Sequence, residues 1–128
     1  MTEADRSMSA LARSYYASFL EGGAGPNSWA TEEVLELQQR DPEQAWTLTL
    51  GMLKESQDPL YTAYVAAGPL EDLLVSHGHR FIAEAETLAL NEPWFSKALQ
   101  AIYGQSRMSS SIYAKLQEIL GATREPDA

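Results

Sequence analysis

Apolar residues recur at helical spacing along most of the chain. Met8, Leu11, Tyr15 and Phe19 step by three or four, which lays one apolar stripe along a helix over residues 4–20. Gly22, Gly23, Gly25 and Pro26 then break the period. Val34, Leu35 and Leu37 mark a short second helix, with Asn27 and Ser28 as candidate N-caps and Glu32 and Glu33 near its positive end. Phe81, Ile82, Ala85, Leu88 and Ala89 form another stripe. Trp94, Phe95, Ala98, Leu99, Ile102 and Tyr103 form the next, behind an Asn91 cap and closed by Gly104. Ile112, Tyr113, Leu116, Ile119 and Leu120 complete a last one, capped by Ser109 to Ser111 and ended by Gly121.

Between these stripes the boundaries share one grammar, a small polar residue or glycine followed by proline. Asp41-Pro42, Asp58-Pro59 and Gly68-Pro69 each place a candidate cap before a proline at the first helical position, where its missing N–H costs nothing. Gln44, three residues after Asp41, completes a capping-box pattern. Trp46, Leu48, Leu50 and Met52 alternate as in a strand, yet Trp46, Leu50 and Leu53 also satisfy a helical period. The start signal at Asp41-Pro42 decides for helix. The expected fold is therefore all-α: a compact array of seven or eight short helices, as an irregular bundle or a short solenoid of helical hairpins. Residues 1–121 form the expected single domain, and residues 122–128 a disordered tail.

Composition narrows the function classes. A chain of 128 residues with 45% hydrophobic and 21% charged residues suits one folded domain. It has no cysteine, which removes disulfides, thiolate nucleophiles and cysteine-based zinc sites. The first residues are acidic and polar where a signal peptide needs a basic stretch and an apolar run, and no run approaches the ~20 apolar residues of a membrane span. A cytoplasmic location is expected.

The net charge of −9 argues against nucleic acid and anionic membrane as partners, since both are normally met by Lys and Arg. It suits a basic protein partner. The charge is concentrated: residues 21–72 hold ten carboxylates against Arg40 and Lys54, a net of −8. Glu32, Glu33, Glu36, Asp41, Glu43, Glu71 and Asp72 are the candidate partner-binding residues. Tyr16, Tyr61, Tyr64 and Trp29 lie in or beside this half and could add aromatic contacts.

The densest candidate for chemistry is residues 68–80, which hold both histidines beside Glu71 and Asp72. Metal ligation from one helix needs histidines three or four residues apart, whereas His77 and His79 stand at i and i+2 and face apart. Acid/base work by Asp72 with His77 or His79 would need a cleft that helical spacing alone does not supply. In the plainer reading Pro69 starts a helix, Leu70, Leu73 and Leu74 are buried, and Gly78 ends it with His77 at its negative end. No catalytic residue, metal or cofactor is expected, and a small metal-dependent or acid/base enzyme using Glu71, Asp72, His77 and His79 is the rival reading.

The run A-A-G-P-L-E-D-L-L-V-S-H-G at residues 66–78, with D-P-E-Q-A-W at 41–46 and N-E-P-W-F at 91–95, resembles an uncharacterised bacterial family of small helical proteins. The resemblance covers roughly residues 29–103. It implies a compact helical fold and a bacterial or phage origin, with Gly68, Pro69, Glu71, Asp72, His77 and Gly78 as signature positions of unassigned role. The function expected from charge is a non-enzymatic acidic interaction module, for instance an immunity protein or inhibitor of a basic bacterial protein. A phage-encoded inhibitor that mimics nucleic acid is a further alternative.

Overall fold

The computed structural model describes residues 3–102 and 107–123, with side chains from residue 7 onward. The described residues contain no strand, so the fold is all-α. The elements are α1 (Glu3–Leu20), α2 (Trp29–Arg40), α3 (Pro42–Glu55), α4 (Pro59–Val65), a π-helical segment (Ala66–Leu70), α5 (Glu71–Asn91), α6 (Pro93–Leu99) and α7 (Ser110–Thr123). No helix among the described residues is long and apolar enough to cross a membrane.

Several starts follow the cap-then-proline grammar. The Asp41 carboxylate accepts from the Gln44 N–H at 3.2 Å, Asp58 accepts from the Leu60 N–H at 3.0 Å, and Pro42 and Pro59 open their helices. Ser109 Oγ accepts from the Ile112 N–H at 3.3 Å ahead of α7. Gly22 and Gly23 take φ of +74° and +83°, so the Gly23 N–H returns to the Ser18 carbonyl at 2.9 Å and closes α1. The segment with a strand period, Trp46 to Met52, is helical throughout.

Other boundaries differ from expectation. Ser28 makes no cap bond, and Asn27 instead donates to the Glu21 carboxylate through its backbone N–H at 3.0 Å and its Nδ2 at 2.8 Å. Asn91 is the last residue of α5 and donates back to the Thr87 carbonyl at 2.7 Å. The residue before Pro93 is Glu92, which caps nothing with its side chain. Gly121 lies inside α7, which runs on through Ala122 to Thr123; residues 124–128, like Tyr103 and Gly104, lie outside the described residues. α6 ends at Leu99.

The larger correction concerns Gly68-Pro69. They start no helix. The backbone stays right-handed helical at Val65, Ala66, Leu70 and Glu71, and the Glu71 N–H reaches back to the Ala66 carbonyl, five residues earlier. A widened π turn accommodates a proline that lacks a donor and crowds the preceding turn, so the helical path continues from Pro59 through Pro69 into α5. At Gly78 the expected end is met in part: His77, one residue before it, leaves helical geometry (φ −135°, ψ 33°), so α5 is two helical stretches joined across a kink, the second running on to Asn91.

α5 packs against α7, α6 and α3, while α3 also meets α1, α2, α4 and α6. Contacts between elements so far apart in sequence make an irregular bundle, because a solenoid repeat touches only its neighbours. At the centre Trp46 stacks on Phe81 with ring centroids 4.6 Å apart, and Phe95 meets the indole edge-on at 6.2 Å. Fully buried Leu37, Leu70, Leu73, Leu74, Leu99 and Leu116 belong to the same core. A second aromatic cluster, Tyr15, Tyr16, Phe19, Tyr61 and Tyr64, joins α1 to α4.

Candidate functional site

Most carboxylates of the acidic half are engaged. Arg40 bonds Glu33 at 3.1 Å and Glu36 at 2.9 Å along α2, and Arg80 of α5 reaches Glu43 at 2.5 Å. Arg107, just ahead of α7, bonds Glu71 at 2.6 Å and Asp72 at 2.7 Å. These two contacts favour the charged guanidinium, the Asp72 bond first. The seven candidate carboxylates thus fall into separate places. Glu32 is exposed, Glu33 and Glu36 belong to Arg40, Glu71 and Asp72 to Arg107, and only Asp41 and Glu43 line a common cavity.

The Gly-Pro-Leu-Glu-Asp-Leu-Leu stretch and the histidine-glycine pair are occupied by packing. Pro69, Leu70, Leu73 and Leu74 are buried, and Glu71 is 7% exposed under Arg107. His77 Nε2 lies 3.2 Å from the Gln38 carbonyl of α2; a carbonyl can only accept, so this contact requires the proton on Nε2. His79 is exposed. A Cβ on Gly78 would stand 2.8 Å from Ile112 Cγ1, so the bare glycine sets how closely α7 approaches α5. Among the described residues no group of three or more His, Asp or Glu side chains is placed to hold a metal ion.

A groove of about 1290 Å³ opens between α1, α3 and the start of α4. That exceeds the roughly 300–1,000 Å³ of ordinary small-molecule pockets. Met8, Ala12, Leu48, Met52 and Tyr61 supply its apolar lining, and Asp41, Glu43, Glu55 and Asp58 supply four carboxylates against Arg13. Tyr61 is 4% exposed, and its hydroxyl has no hydrogen-bond partner among the described residues. Burial pushes this phenol above its ordinary range, with Tyr64 and Tyr16 adding to the rise, so it remains a neutral hydroxyl. Tyr16 stands 40% exposed and packs edge-on against Tyr61 at 4.7 Å.

Sequence reasoning reached Asp41 and Glu43 through charge, and set apart Tyr16 and Tyr61, but missed the rest of the lining. A signal was present in Gly51, a glycine in mid-helix among apolar residues. A Cβ there would meet nothing within 4 Å, so no neighbour requires its absence.

Residues 21–123 match the model of a family of unknown function (DUF6869), and with most of its length covered the chain belongs to that family. The match includes α3 and α4 of the groove, while α1 precedes it. Comparison with curated proteins and with solved structures finds no match.

Proposed function

We propose that this member of the family is a non-enzymatic binding module that receives a basic protein partner in the groove between α1 and α3. The observation that carries the reading is the combination in one cavity of an apolar floor with four carboxylates, against Arg13 in the lining and Arg80 paired to Glu43. Partly exposed Met8, Ala12 and Tyr16 supply area to bury on association over the already buried Leu48, Met52 and Tyr61, and net negative charge at the rim speeds encounter with a basic surface and disfavours an acidic one. An immunity protein that neutralises a basic toxin is one role of this kind. The residues assigned to the partner change accordingly. Asp41 and Glu43 remain, the latter shared with Arg80 but exposed, Glu55 and Asp58 join them, and Glu71 and Asp72, largely buried under Arg107, belong to the fold.

The test uses the partner recovered on the immobilised chain and compares wild type with the quadruple variant Asp41→Asn, Glu43→Gln, Glu55→Gln, Asp58→Asn. Asparagine keeps the cap oxygens at the starts of α3 and α4, so the helices stand. The association rate should fall steeply as salt rises, and by about tenfold in the variant at low salt. A partner whose association ignores both salt and these four changes, or whose footprint lies on α7, would sink the proposal.

A further inference from the structure

The groove is shaped by two helical faces. From α3 come Gln44, Thr47, Leu48, Gly51, Met52 and Glu55, spaced by three and four, and from α1 come Met8, Ala12 and Tyr16, spaced by four. A trench between two helix faces has the form of a bundle with one helix missing. Gly51 stands midway along the α3 wall, exposed, with open space where its Cβ would be. Glycine is among the poorest residues for a helix interior and nothing in the fold calls for it here, whereas a bare backbone lets a second helix cross closely. The carboxylates divide between the ends of the wall: Asp41 and Glu43 at the start of α3, Glu55 and Asp58 at its finish and beyond. At 1.5 Å per residue the two pairs stand about 20 Å apart.

Resting on the reading of the groove as the docking site for a basic partner, we propose that the partner's docking element is an amphipathic α-helix of about four turns. Its apolar face lies along α3 and crosses at Gly51. Basic residues near its two ends reach the two carboxylate pairs, so the segment reads basic, apolar, basic along its length.

The probe is a synthetic peptide of about 14 residues, lysine at both ends and leucine at helical period between, set against the same composition at strand period and against oligolysine. Binding to the full chain is followed by calorimetry and helix gain by circular dichroism. The helical-period peptide should bind about tenfold tighter than either control and gain helix on mixing. Gly51→Trp, which fills the groove, should weaken it by about tenfold, whereas Gly121→Trp, at an exposed position of α7, should leave it unchanged. Thr47→Arg, which sets a cation in the same wall, provides an independent second block should Gly51→Trp fail to fold.

Equal binding of all three peptides, untouched by Gly51→Trp or Thr47→Arg but lost in the quadruple carboxylate variant, would overturn the helix and leave the basic-partner reading standing. Failure of every peptide to bind at low salt would overturn both. A dimer of the protein alone that Gly51→Trp dissolves would assign the groove to a second copy, against the proposal.

Discussion

Two helical glycines, Gly78 in α5 and Gly51 in α3, sit in opposite surroundings. Around Gly78 the space is taken: Ile112 presses on the backbone, His77 is bonded to α2, and Arg107 spans Glu71 and Asp72. Around Gly51 it is open, and the neighbouring wall carries apolar groups and carboxylates that face a cavity. The first region is conspicuous in sequence and is used up in holding α2, α5 and α7 together. The second is inconspicuous and keeps its surface available. Density of polar residues in a motif is therefore a poor guide to a site when, as with Glu71, Asp72 and His77, they have internal partners.

The largest effect that could break this contrast is expected at Arg107. Arg107→Ala removes one bond to Glu71, whose side chain is only 9% exposed, and one to Asp72. Breaking a buried ion pair costs about 3–5 kcal/mol, and because Arg107 is itself half exposed we expect about 2 kcal/mol of lost stability by denaturant titration. The groove should bind as before. If the variant were as stable as wild type yet lost partner binding, the motif region would be the site and the assignment made here would be reversed.

A smaller effect of the same sign is expected at Gly78. An added methyl meets Ile112 Cγ1, Cδ1 and Cγ2 at 2.8–3.0 Å, and the crowded atoms include the branch of a buried side chain that cannot simply swing away. Overpacking of this kind costs about 1–3 kcal/mol, against which alanine regains about 1 kcal/mol of helix propensity. Gly78→Ala should thus destabilise by about 1 kcal/mol, lowering the melting temperature by roughly 3–5 °C. Combining it with Ile112→Val should recover part of that loss, and strict additivity of the two changes would mean that they do not touch.

The period-3.6 stripes place α1, α2, α6, α7 and the second part of α5, because burial of one face is a local property of spacing, whereas α3 and α4 are marked by their aspartate-proline starts. The ends were harder for a physical reason. A proline after a small residue reads the same whether it opens a helix, as Pro42 does, or sits in a π turn supported by buried Ala66, Leu70 and Leu73, as Pro69 does. Gly78 likewise carries the local mark of a helix end, and only Ile112, thirty-four residues away, reveals its packing role. The groove's acidic rim was partly legible at Asp41 and Glu43. Its α1 wall was not, since the approach of Met8, Ala12 and Tyr16 to α3 is a tertiary fact.

The smallest effect, and the one opposite in sign, belongs to Gly51. Gly51→Ala adds a methyl to an exposed position in mid-helix where nothing stands within 4 Å, so it lowers the entropy of the unfolded chain and strains nothing. Stability should rise by about 0.5–1 kcal/mol, visible as a later denaturant midpoint with unchanged slope. The same substitution in two helices would then move stability in opposite directions. A rise at Gly51 would mean that the folded chain alone does not call for this glycine, which leaves its surface open to a partner. A fall would mean that the groove wall is already packed, and the distinction between the two regions would lose its physical basis.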